Sequence, residues 1–171
     1  AKAAWSEVLN QYQRRADLIP NLVETVRAFA QQERDVLEAV VAARARATQV
    51  QVSTEQLTDP QQLQAFQDAQ AGLTGALSRL LAVVENYPQI TSGQNFLALQ
   101  AQLEGTENRI AVARRDYIRA VEEYNLSLRT FPSMIWASLW FTDNKPFANF
   151  TVAEDKIEVP QVNFGTGNRA N

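Results

Sequence analysis

At 171 residues, with 46% hydrophobic and 20% charged side chains, the chain has the length and composition of one folded domain rather than of a disordered segment. A net charge of −3 lacks the basic footprint that nucleic-acid binding requires. His and Cys are both absent, which removes the usual transition-metal ligands, most general bases, the thiol nucleophiles and disulfides. No catalytic residue, metal site or cofactor is expected; a di-iron carboxylate bundle, which takes a Glu-x-x-His pair from each of two helices, cannot be built.

The few Gly and Pro and the abundance of Ala, Gln, Leu, Glu and Arg predict an all-α chain. From Ala3 to about Val50, apolar residues recur at heptad spacing in three interleaved series, such as Trp5, Tyr12, Ile19 and Val26, or Val8, Leu22, Phe29 and Val36. This reads as one long amphipathic helix, roughly 70 Å if unbroken. Pro20 lies inside it and predicts a kink near Ala16 to Pro20. After a turn-like stretch, Asp59 and Pro60 read as an N-cap and first helical residue, opening a second helix to about Asn86 with Leu63, Phe66, Leu73, Leu77 and Leu80 on one face. Tyr87 and Pro88 end it.

A third helix, expected over 95–131, carries Phe96, Leu103, Ile110, Tyr117, Tyr124 and Phe131 at heptad spacing and stops at Pro132. A short apolar helix over 133–141, with Trp136 and Trp140 on one face, should close the end of the bundle. Short connections between long amphipathic helices make antiparallel neighbours. The expected architecture is a long antiparallel up-and-down bundle of three long helices and a short fourth over residues 1–141. Residues 142–171 read as an extended, partly disordered C-terminal tail, in which Ile157 to Val162 either pair as a strand or lie along the bundle with Phe147, Phe150 and Phe164 as anchors.

Five charged residues interrupt the apolar series: Arg15, Glu33 and Arg44 in the first helix and Glu107 and Arg114 in the third. Partly buried charges in bundles usually pair across helices and fix register, and a polar pocket between helices is the functional alternative. The glycines Gly72, Gly75 and Gly105 sit inside helical patterns, which excludes a phosphate-cradling loop and suggests close helix packing. The runs QRRADLIPNL and GTENRIAVARRDY are dense in Arg, Asn and acidic residues. They can contact a partner's carboxylates or peptide groups, or equally satisfy backbone carbonyls freed by Pro20.

Those runs, within YQRRADLIPNLVETVRAFAQQE and NFLALQAQLEGTENRIAVARRDYIRAVEEYN, together with VVAARARA, ENYP and FP, resemble the LemA family of bacterial proteins. The residues that match its signature are Arg14, Arg15, Asp17, Leu18, Pro20, Asn21 and Leu22 in the first helix and Glu104, Thr106, Glu107, Asn108, Arg109, Arg114, Asp116 and Tyr117 in the third. The resemblance implies a four-helix up-and-down bundle anchored by one N-terminal transmembrane segment, and it implies no catalytic residues. The chain starts at Ala1 without Met and holds no run of about 18 apolar residues. An anchoring segment is therefore expected upstream, with the protein in the bacterial cell membrane.

The expected function is a non-enzymatic scaffold or binding module for membrane-associated protein partners, with self-association among its interactions. Candidate partner- or ligand-binding residues are Arg14, Arg15, Asp17, Asn21, Glu107, Asn108, Arg109, Arg114, Asp116 and Tyr117. The alternative is a sensory domain that binds a small anionic ligand between helices near Arg15, Arg109 or Arg114. A polar cavity lined by two or more of these arginines would favour the sensor, and a closed core would favour the scaffold.

Overall fold

The computed structural model of the protein describes residues 1–130 and 145–150. It is an all-α bundle, with no strand among the described residues. Four long helices, α1 (Lys2–Arg27), α2 (Arg34–Gln49), α3 (Pro60–Val84) and α5 (Gln94–Ser127), are joined by a 3-10 turn at Gln56–Thr58 and a single helical turn, α4 (Pro88–Thr91). The expected short helix over 133–141 and the tail beyond Phe150 lie outside the described residues.

The bonds between helices give their directions. Running up α1, Trp5 bonds to the Val52 carbonyl, which follows α2, while Ala16 is met by Arg44 within α2. Arg15 meets Glu107 midway along α5, and Gln70 of α3 meets Ala47 near the end of α2. At the opposite end, Gln32 and Glu33 ahead of α2 bond to Tyr87, which follows α3. Each long helix is thus antiparallel to the next.

The first predicted helix is two. It continues through Pro20, as expected, but turns back at residues 28–33, where no Gly or Pro marks a break. The segment consists of fair helix formers, so local propensity favours continuity, and tertiary packing overrides it. Folding back lets α2 cover the apolar face of α1, with Ala30 fully buried at the pivot and Phe29 left 52% exposed. The turn is closed by Ala30 N–H donating to Val26 O and Glu33 N–H to Ala30 O. Glu33 is therefore the N-cap position of α2 rather than a charge inside a helix. Its carboxylate accepts the Tyr87 hydroxyl at 2.8 Å, and that hydroxyl accepts Gln32 Nε2 at 2.7 Å, pinning this hairpin to the α3–α4 turn.

The start of α3 follows the sequence signal: Asp59 Oδ1 accepts the Gln61 N–H at 2.9 Å, and Pro60 occupies the first turn, where its missing N–H is not needed. The glycines do not bear out the expected close packing. A Cβ placed on Gly72, Gly75 or Gly105 meets nothing within 4 Å.

The core is divided lengthwise. An aliphatic half gathers Ile19, Leu22, Val26, Val40, Leu73, Leu77, Leu80 and Leu103, with Phe96 its one buried aromatic among the described residues. An aromatic half gathers Trp5, Tyr12, Phe66, Tyr117 and Phe150 with Val8, Leu57, Leu63, Ile110 and Val121. Helix length explains the division. At 16 residues α2 is about 24 Å long, whereas α1, at 26 residues, is about 39 Å. Beyond Gln49 the bundle is closed by the 50–58 connection and by residues 147–150 instead of by a helix.

Candidate functional site

Between the two halves lies a buried polar layer. On three helices the boundary falls at a polar residue: Arg15 between Tyr12 and Ile19, Gln70 between Phe66 and Leu73, and Thr106 with Glu107 between Leu103 and Ile110. Arg15 is only 2% exposed. Burying a guanidinium is costly unless its donors are matched, and here both terminal nitrogens are. Nη1 donates to Glu107 Oε1 and to Thr74 Oγ1, each at 2.9 Å, and Nη2 donates to Gln70 Oε1 at 2.6 Å and to Gln70 O at 3.2 Å. Gln70 passes the chain of bonds on, its Nε2 donating to Ala47 O. The guanidinium also lies over the Tyr12 ring, 5.0 Å from its centroid, and Nε alone lacks a partner. One side chain thus links α1 to α3 and α5, and through Gln70 to α2. The Glu107 side chain is 41% exposed, so the layer reaches solvent at one edge.

A second internal polar contact concerns Pro20. Proline has no N–H, so the carbonyl four residues back, on Ala16, has no helical partner. Arg44 of α2 supplies one, its Nε donating to Ala16 O at 2.8 Å. The freed carbonyl is answered by an arginine, but from α2 rather than from the two dense runs.

Six of the candidate residues face outward: Arg14, Asp17, Asn21, Asn108, Arg109 and Asp116. Arg14 and Arg109 border a groove of about 330 Å³ between α1 and α5, floored by Leu18, Ala101, Gly105 and Thr106 and edged by Gln102. Both arginines are exposed, and neither forms a salt bridge among the described residues. Asp17, Asn21, Asn108 and Asp116 are exposed, Asp17 accepting a bond from Gln13 of its own helix. Arg114 and Tyr117 belong to neither group, because they face residues 147–150. Six of the ten candidates therefore divide in pairs between a buried layer (Arg15, Glu107), an outer groove (Arg14, Arg109) and a peptide slot (Arg114, Tyr117), and the other four lie on the exposed surface.

In that slot the Arg114 guanidinium stacks 4.4 Å from the Phe150 ring centroid, and Phe150, 7% exposed, lies against Trp5 and Tyr117. The Tyr117 hydroxyl donates to Ala148 O at 2.8 Å, and burial pushes its pKa up to about 12. Burial also raises that of Tyr12, against the opposing charges of Arg114 and Arg15. Gln70, Thr74, Leu57 and Asn125 went unread in the sequence. Gln70 alone had a visible signal: it is the polar member of the seam Leu63, Phe66, Gln70, Leu73, Leu77, Leu80, Val84. Among the described residues no group of three or more carboxylates is placed to hold a metal ion, and no helix is long and apolar enough to cross a membrane.

The LemA family model matches residues 4–164. Over 64 residues the chain is 41% identical to magnetosome proteins MamQ 2 and MamQ 1 of Paramagnetospirillum magneticum. Over 64 residues it is 33% identical to magnetosome protein MamQ of Magnetospirillum gryphiswaldense. Each match covers 37% of this chain and 24% of the relative, so the chain spans about a quarter of the length of the curated relatives it matches.

Proposed function

The chain belongs to the LemA family, and from that premise we propose that it is a non-enzymatic helical scaffold, held at a bacterial membrane by a segment upstream of Ala1, that binds a membrane-associated protein along its α1–α5 face. The observation that carries this reading is the division of labour among its arginines. Arg15 and Arg44 are engaged inside the bundle, while Arg14 and Arg109 stand exposed at one groove with no ion pair among the described residues. Two guanidiniums over a floor of small and apolar side chains suit an acidic segment of a partner, since each can take a carboxylate bidentately.

The sensory alternative ranks second. Of the three arginines it calls on, Arg15 is closed within the polar layer and Arg114 covers Phe150, which leaves Arg109 alone at the groove. A photo-crosslinking residue at Gln102 in the full-length gene product tests the proposal. The expected result is membrane fractionation and a discrete protein adduct that disappears with Arg14→Glu/Arg109→Glu while helicity is unchanged. Full-length protein that stays soluble after high-speed sedimentation would sink the membrane reading. An adduct insensitive to the charge reversal would sink the groove.

A further inference from the structure

Residues 147–150, Phe-Ala-Asn-Phe, are held in the way a binding protein holds an extended peptide. The bundle addresses their backbone as well as their rings. Asn125 forms a reciprocal pair with Phe147, its Oδ1 accepting the Phe147 N–H at 2.9 Å and its Nδ2 donating to Phe147 O at 3.0 Å. The Ala148 N–H donates to Leu57 O at 2.7 Å, and Ala148 O accepts the Tyr117 hydroxyl. Phe147 stacks on Tyr124 with ring centroids 4.7 Å apart, and Phe150 is buried against Trp5, Tyr117 and Arg114. Backbone bonds fix the register and two aromatic pockets select the side chains, which is the logic of recognising an extended segment.

We infer that this slot is a receptor for an extended Phe-x-x-Phe segment and that a second copy of this chain supplies it in trans, so that two molecules exchange residues 147–150. The proposal is independent of the α1–α5 groove. None of the contacts depends on the segment being covalently joined to the bundle that holds it, and an identical chain carries the ligand that fits. The one bond within the segment, Phe150 N–H to Asn149 Oδ1, travels with it. Residues 128–144, seventeen in all, join the end of α5 to Lys145. That length spans at most about 60 Å, against a bundle roughly 20 Å across, so the segment can reach a neighbouring slot. Exchange of an identical element is a low-cost route to a symmetric dimer. The intramolecular arrangement competes through an effective concentration on the order of millimolar. Exchange therefore rises with local protein density.

Complementary variants test this. One chain carries Asn125→Ala and Tyr117→Phe, which disables the slot and keeps the segment. The other carries Phe147→Ala and Phe150→Ala, which empties the slot and removes the ligand. Each alone should be monomeric by sedimentation, and their mixture should form a one-to-one heterodimer at the same total concentration. A free peptide of residues 145–150 should bind the emptied chain at least tenfold more tightly than the wild type, whose slot is filled. Should Phe150→Ala unfold the chain, Phe147→Ala alone empties the shallower pocket and replaces it. Two folded variants that remain monomers when mixed at hundreds of micromolar overturn the proposal, and peptide binding without heterodimer overturns the second copy as the occupant.

Discussion

The two halves of the core achieve closure by different means. In the aliphatic half four helices meet and side-chain shape is enough: Leu73, Leu77, Leu80, Val26 and Val40 interdigitate without a polar atom among them. In the aromatic half α2 is missing, and irregular backbone must cover the gap. That backbone brings N–H and carbonyl groups to the edge of an apolar cluster, where unpaired ones are costly. Aromatic residues with polar tips resolve this, because one side chain fills volume and satisfies a backbone group together. Trp5 Nε1 donates to Val52 O at 2.8 Å, and the Tyr117 hydroxyl donates to Ala148 O at 2.8 Å. Covering a core with loops demands amphipathic side chains that covering it with a helix does not.

The largest expected effect comes from the layer that separates the halves. Arg15→Ala leaves Gln70 and Thr74 without their donor and the Glu107 carboxylate unpaired, and should cost roughly 3–5 kcal/mol in urea unfolding. Arg15→Met, which refills the volume, should recover part of that. Full recovery by Arg15→Met would mean that packing, not charge pairing, governs the boundary.

Alkaline pH should weaken the aromatic half first. Tyr117 holds its proton up to about pH 12 in the folded chain and, with an ordinary tyrosine value of 10.0, would lose it sooner when unfolded. Between those values the unfolded chain binds fewer protons, so stability is complete below about pH 10 and falls by the order of 2–3 kcal/mol as pH rises to 12. Tyr12 shifts in the same direction. Hydrogen exchange should show protection lost around Trp5 before Leu80, and Tyr117→Phe should shrink the alkaline loss.

A smaller effect links α1 to α2 at the edge of the aliphatic half. Arg44→Ala leaves the Ala16 carbonyl without its donor and should cost about 1–2 kcal/mol. In a Pro20→Ala background the restored N–H takes that carbonyl, and Arg44→Ala should cost little. A double-mutant cycle reads the coupling directly, and additive losses would break the assignment. The smallest effects are gains. Gly72→Ala meets no obstacle and should stabilise α3 by about 0.5–1 kcal/mol in thermal unfolding. Gly105→Ala should stabilise α5 similarly while narrowing the groove beside Arg14 and Arg109.

The sequence was most legible where one element determines its own form. Heptads located the buried faces, and Asp59 with Pro60 located the start of α3. The hairpin at 28–33 was hidden because nothing local breaks the helix there; its cause is the apolar face that α2 covers, including residues far apart in the chain. Arg15 and Glu107 were visible as charges in apolar series, but their pairing across 92 positions was not. Phe147 and Phe150 read as anchors, whereas the slot that receives them is assembled from Leu57, Arg114, Tyr117, Tyr124 and Asn125, and only a folded chain brings these together.

Trp5 also decides how the molecule carries tension. A pull applied through the residues ahead of α1 would reach, within the first turn or two of the helix, this side chain, which is fully buried in contact with Phe66 of α3, Tyr117 of α5 and Phe150 and bonded to Val52 beyond α2. The load is therefore divided at once among every strut of that end instead of peeling α1 away turn by turn. A tether attached there would act on the same ring that forms one wall of the Phe150 pocket, so strain along the chain and occupancy of the slot are mechanically joined.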